Sequence, residues 1–292
     1  MFTGIYAPIA TPFLNGEIDY EALKFNLDRY SATGLAGLVV LGSNGEFALL
    51  DMDEKMQLVE FVRQHTSSSK RIIAGTGCES TKDTIRLTRH AASVGADAAL
   101  IVTPHYYKGN MTDTALEQYY TEVADASPIP VMLYNMPRNT GLNMSSALIA
   151  RLAKHENIVG VKDSGGNIVQ ISEVIAGTDD DFSVFAGSGS FLYATLALGG
   201  VGGTLAVANI LPDLCVQLYE AVLAGKHAEA RKLQHQLLAP NAAVTARFGI
   251  PGLKQAMDFL GYKGGTPRRP LLPVSEQVAA EIKQILQNVG AL

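Results

Sequence analysis

A chain of 292 residues that is 47% apolar and 17% charged has enough apolar material for one large core and too little charge for a disordered segment. Its net charge of −5 comes with no block of like charges, which excludes the basic footprint of a nucleic-acid or anionic-membrane binder. The opening Met1-Phe2-Thr3-Gly4-Ile5-Tyr6-Ala7-Pro8 has neither a basic lead nor a long apolar core, so it reads as neither signal peptide nor membrane anchor.

From there, short β-like runs alternate with amphipathic segments eight times. Strands are predicted over 5–9, 37–41, 72–75, 98–102, 131–134, 158–162, 182–186 and 203–206. Helices are predicted to begin near Asp19, Asp53, Ser80, Thr112, Ser145, Asn167, Ser190 and Pro212, most opened by a capping residue or a proline. Eight successive βα units predict an α/β fold, a closed (β/α)8 TIM barrel. The rival is an open doubly wound sheet, which would carry a glycine-rich dinucleotide turn after its first strand; Ala10-Thr11-Pro12-Phe13 is not one.

Beyond Ala224 the strand signals stop. Three helical segments, 228–238, 253–260 and 275–288, are separated by Phe248-Gly249-Ile250-Pro251-Gly252 and by the turn-rich 263–273. The expected organisation is a barrel catalytic domain over 1–224 and a C-terminal three-helix extension over 225–292, serving as an oligomer contact or simply packed on the barrel. Cys78 and Cys215 match no zinc or redox spacing and read as reduced packing residues in a cytoplasmic compartment. The six histidines form no metal pair at helical spacing.

In a barrel of this kind the reactive side chains sit at the C-terminal ends of strands and in the loops that follow. Lys162 ends the apolar run Ile158-Val159-Gly160-Val161 just before Asp163-Ser164-Gly165-Gly166. A lysine in a buried strand needs a reason, because desolvating an ammonium is expensive; the bland reading is a strand end whose amine reaches back to solvent. A second polar intrusion, Tyr134, ends the run Pro130-Val131-Met132-Leu133. If the two strands are parallel neighbours, phenol and amine emerge together, a proton shuttle beside a nucleophile, as imine chemistry on a 2-oxo acid requires. An apolar barrel interior is expected to favour the neutral amine.

The remaining loops offer weaker signals. Gly42-Ser43-Asn44-Gly45-Glu46 presents backbone N–H groups and short polar side chains to a carboxylate, or is a plain polar turn with Glu46 in a capping or hydrogen-bonding role. Tyr106 and Tyr107 put two aromatics in one loop, for packing or a subunit contact. Gly187-Ser188-Gly189-Ser190 suits a phosphate at a helix N-terminus, but no basic residue is adjacent. Gly199-Gly200-Val201-Gly202-Gly203 reads as close packing of the last strand.

Together these positions resemble the class I pyruvate-dependent aldolases, the dihydrodipicolinate synthase and N-acetylneuraminate lyase family. The resemblance runs from Pro8-Ile9-Ala10-Thr11-Pro12-Phe13 through the C-terminal helices and is most specific at Gly42-Ser43-Asn44-Gly45-Glu46, Tyr134-Asn135-Met136-Pro137 and Gly160-Val161-Lys162-Asp163-Ser164. It implies that Lys162 is the Schiff-base lysine and Tyr134 the proton-shuttling tyrosine, and that Ser43 and Asn44 hold the pyruvyl carboxylate. Tyr106 falls where a tyrosine reaches into the adjacent subunit of a homotetramer, a dimer of dimers. Ser164, Gly187 and Ser188 complete the expected substrate-binding set. The implied substrate is a small 2-oxo acid, and neither metal nor cofactor is expected, because the imine supplies the electrophilic activation.

Within the family, dihydrodipicolinate synthases carry a threonine pair in the turn after strand two and an arginine five residues after the tyrosine. Here the pair is Ser43-Asn44, the fifth residue is Asn139, and Arg138 comes one place early. Gly42-Ser43-Asn44-Gly45-Glu46-Phe47, Gly77-Cys78-Glu79-Ser80-Thr81, Lys162-Asp163-Ser164-Gly165-Gly166 and Pro240-Asn241-Ala242-Ala243-Val244-Thr245 instead resemble the 4-hydroxy-2-oxoglutarate aldolases. The expectation is therefore cleavage of 4-hydroxy-2-oxoglutarate to pyruvate and glyoxylate. The alternatives are a 2-keto-3-deoxy sugar acid aldolase, the dihydrodipicolinate synthase reaction and, in a different class, a silent barrel that senses a 2-oxo acid.

Overall fold

The computed structural model describes residues 1–292. Eight parallel strands close into a barrel in chain order: Gly4–Pro8, Gly37–Val40, Arg71–Gly75, Ala98–Val102, Val131–Asn135, Ile158–Asp163, Ser183–Ala186 and Gly202–Thr204. The last strand pairs with the first, Ile5 opposite Gly203 and Tyr6 opposite Thr204, so no edge is left open. Strands covered by helices outside and filled by side chains inside are apolar on both faces, hence the continuous apolar runs. The glycine-rich stretch before the closure does what close packing demands: a Cβ on Gly202 would lie 2.2 Å from the Gly4 carbonyl oxygen.

The helices start where caps allow. Asp51 accepts from the Glu54 amide at 2.9 Å while its own amide donates back to the Glu54 carboxylate at 3.0 Å, and helix Met52–His65 begins at once. The helix expected near Ser190 opens as a short 3-10 turn, Gly189–Phe191, and becomes α-helical only over Leu192–Ala197. One element was unanticipated, a hairpin pairing Phe13–Leu14 with Glu17–Ile18 through Asn15 and Gly16, both left-handed. Its strands are two residues long, too short for periodicity to register.

In the C-terminal extension, the helix expected to end at 238 runs as His227–Ala242, with Pro240 inside it, then widens into a π-helical turn, Ala243–Arg247. The next helix, Gly249–Phe259, includes most of the expected separator, leaving Phe248 alone as the break. Tertiary bonds override the proline: Gln234 donates to the Gly189 carbonyl at 2.6 Å, and Asn241 accepts from the Gly189 amide at 3.1 Å. The chain ends in helix Glu276–Asn288 and its short tail.

The extension shares its core with the barrel. Leu237, Val244, Leu253, Met257 and Leu286 belong to the same apolar cluster as Leu205, Val207 and Leu218. Inside the barrel a separate stack includes Tyr6, Val39, Ile73, Leu100, Met132 and Phe185, and Tyr134 belongs to it. No helix is long and apolar enough to cross a membrane.

Candidate active site

The fifth and sixth strands are hydrogen-bonded neighbours, and Tyr134 lies directly opposite Lys162 in their register. Both side chains are buried, Tyr134 4% and Lys162 3% exposed, and the Lys162 Nζ stands 3.9 Å from the centre of the Tyr134 ring. The Tyr134 hydroxyl is 3.3 Å from Ser43 Oγ, which enters from the turn after the second strand. Burial is the largest influence on Tyr134 and pushes its phenol up. The positive charge of Lys162, with hydrogen bonds to Ser43, Lys162 and Ser164, outweighs it and holds the phenol below its ordinary value of 10.0.

The next residue on each strand turns outward and locks the pair from behind. Asn135 donates to the Asp163 carboxylate at 2.8 Å and accepts from the Met144 amide at 3.0 Å, while the other Asp163 oxygen accepts from the Gly165 amide at 2.9 Å. Every member of this buried network finds a partner, so it fixes the strand ends that carry phenol and amine.

Ser164 and the seventh-strand loop meet at very short range. The Gly187 amide donates to the Asp163 carbonyl at 2.7 Å, and a Cβ on Gly187 would lie 2.0 Å from Ser164 Oγ. Gly187 is thus the residue that lets Ser164 turn into the cleft. The same loop does not offer a phosphate cradle: the Gly189 amide is taken by Asn241 and the Ser190 amide by Ser188 Oγ at 3.3 Å. That reading of 187–190 is set aside.

A cleft of about 400 Å3 opens above Lys162 and Tyr134, lined also by Ser43, Asn44, Ser164, Gly187 and Ser188. Six of the seven binding or chemical residues expected besides Lys162 therefore converge on it. Tyr106 does not. Its backbone amide is pinned to the Glu79 carboxylate at 2.9 Å, and its ring, 77% exposed, projects from the surface of its own chain. Two groups that sequence reasoning missed as part of the site also border the cleft. Arg138 and Asn139 both line it, with an Arg138 Nη donating to the Ala246 carbonyl at 3.2 Å. The π-helical turn contributes Val244, Thr245 and Ala246. A π-turn inside a regular helical region often marks a functional site, but no sequence periodicity announces one.

Comparison with known proteins agrees with this geometry. The family model described as "Dihydrodipicolinate synthetase family" matches residues 1–289. A 4-hydroxy-tetrahydrodipicolinate synthase of Methanothrix thermoacetophila is 36% identical, covering 100% of this chain and 98% of that protein. The crystal structure of dihydrodipicolinate synthase from Aquifex aeolicus superposes with a TM-score of 0.94 at 32% identity, over 99% of both chains. A prophage protein of the same family from E. coli K12, solved in complex with pyruvate, gives 0.94 at 30% identity over 100% of both chains. These relatives carry the synthase or family name and not that of a 4-hydroxy-2-oxoglutarate aldolase, which turns the finer expectation toward its alternative.

Proposed function

The chain belongs to the dihydrodipicolinate synthetase family and is a carbon–carbon lyase of its Schiff-base type, and we propose that it joins C3 of pyruvate to, or releases pyruvate from, an aldehyde that itself bears a carboxylate. The observation that carries this is one cleft with Lys162 and Tyr134 as register partners at its floor and a cation, Arg138, on its wall.

Tyr134, as phenolate, takes a proton from the Lys162 ammonium and frees the amine. The amine attacks C2 of pyruvate, Tyr134 returns its proton to the departing hydroxyl so that water leaves, and the resulting iminium draws electrons from C3 with Tyr134 again a phenolate. A C3 proton passes to the Tyr134 oxygen, and the resulting enamine attacks the aldehyde carbon. The new alkoxide takes the proton back from Tyr134, and hydrolysis of the iminium frees the 4-hydroxy-2-oxo acid. Cleavage runs the same steps in reverse. Ser43, Asn44 and the amides of their turn hold the C1 carboxylate and so aim C2 at Lys162. Arg138 faces the carboxylate at the far end, which favours a charged acceptor over the neutral polyol of a sugar acid.

Two acceptors fit that description. Aspartate semialdehyde, whose amine would displace Lys162 from the iminium by ring closure, is supported by the names of the relatives. Glyoxylate, from 4-hydroxy-2-oxoglutarate, is supported by Ser43-Asn44 in place of a threonine pair and by Ser164 on the cleft wall. Both are assayed side by side, as pyruvate release from 4-hydroxy-2-oxoglutarate and from 2-keto-3-deoxy sugar acids, and as ring formation from pyruvate with aspartate semialdehyde. One carboxylate-bearing acceptor is expected to exceed the sugar acids in kcat/KM by at least about tenfold. A sugar acid as the best substrate contradicts the proposal.

A further inference from the structure

Glu46 and Lys254 form a buried ion pair, 3% and 1% exposed, that neither the imine nor the proton relay uses. Resting on the reading above, that Lys162 forms an imine with a 2-oxo acid whose carboxylate sits on the Ser43–Asn44 turn, we propose that Glu46 and Lys254 are positioning residues: their pair holds that turn in its carboxylate-binding shape from the C-terminal extension.

The turn is not a relaxed one. Ser43–Gly45 is a single 3-10 turn bracketed by two non-glycine residues in the left-handed region, Leu41 at φ 60° and Glu46 at φ 58°. Such residues persist only where their surroundings impose them. Two anchors impose Glu46. One comes from the segment after the first strand: Thr11 Oγ1 donates to the Gly45 carbonyl at 2.8 Å. The other crosses more than two hundred residues of sequence. Glu46 Oε2 accepts from the Arg268 amide at 2.8 Å, and its Oε1 has no partner but Lys254 Nζ, at 2.6 Å. Lys254 is fixed in turn, donating to the Thr266 carbonyl at 2.9 Å with its Nζ 4.6 Å from the Phe13 ring centre. The carboxylate thus ties a strained turn to a helix that the barrel alone does not contain.

The test separates the carboxylate end of the substrate from the ketone. Imine formation is trapped with borohydride, using pyruvate as one probe and acetone, which lacks the carboxylate, as the other. Glu46→Gln and Lys254→Met, and the double variant, which buries no uncompensated charge and so keeps the fold accessible, are compared with the parent chain by half-saturating ketone concentration. Each folded variant is expected to need about tenfold more pyruvate, or more, the effect of losing a charge-assisted contact, with acetone unchanged. A variant in which both probes weaken together, or neither does, overturns the positioning role. A parent chain that traps neither ketone overturns the imine reading, and this inference with it.

Discussion

Tyr134 is where burial and charge pull in opposite directions, and the outcome decides what the phenol can do. Buried tyrosines elsewhere in the chain, Tyr30 and Tyr120, are pushed well above 10.0; at Tyr30 the charge of Arg29 pulls the other way but does not outweigh burial, and Tyr120 has no cation to offset it. Only at Tyr134, beside Lys162 and bonded to Ser43, is the shift downward. The sign has two consequences. The unfolded chain titrates this phenol near 10.0, so its stabilising contribution is fully present above that pH and is lost as pH falls through the lower folded value. Activity that needs the phenolate falls over the same limb. Ser43→Ala removes one of the hydrogen bonds that favour the phenolate, so the limb of kcat/KM governed by Tyr134 is expected to move to higher pH. A pH–rate profile measures this, and an unmoved limb in Ser43→Ala means that the serine contact does not tune the phenol.

At the level of elements, the site depends on how closely the sixth strand and the loop after the seventh approach. A methyl on Gly187 meets Ser164 Oγ at 2.0 Å and the Asp163 carbonyl oxygen at 2.6 Å. The first contact is relieved by removing a side chain; the second is backbone and is not. Gly187→Ala is expected to lose about 1–3 kcal/mol of stability together with kcat/KM, and Ser164→Ala in the same chain is not expected to restore either. Thermal melts and kinetics of the single and double variants check this, and recovery in the double variant would assign the constraint to the serine alone.

Much of this scale was legible in advance, because buried parallel strands write themselves as apolar runs and the reactive residues are the polar letters that end them: Lys162 and Tyr134 are visible for that reason. Asn44, Ser164, Gly187 and Ser188 came with the resemblance, and all of them line the cleft. What escaped had no local pattern. The course of the helix through Pro240 is settled by Gln234 and Asn241 reaching to Gly189, contacts about 45 and 52 residues away. Arg138 looked out of register by one residue, yet Arg138 and Asn139 both border the cleft, since a short helix, Pro137–Thr140, carries them there and not an extended strand with alternating faces.

For the molecule as a whole, the C-terminal helices help to build the cleft, lending it its π-turn wall and sharing one core with the barrel. Tyr106, exposed on its own chain, is the one expected site residue whose role depends on a second copy. If that copy supplies it, Tyr106→Phe lowers kcat by roughly tenfold or more while the assembly stays intact by sedimentation; unchanged kcat assigns the residue to the surface alone. Every step above, however, passes through a single nitrogen. Pyruvate and borohydride added to the intact protein, followed by whole-chain mass and peptide mapping, examine it directly. One reduced adduct per chain is expected, located on Lys162 and absent from Lys162→Ala. No adduct, or one that survives that substitution, contradicts an imine on Lys162.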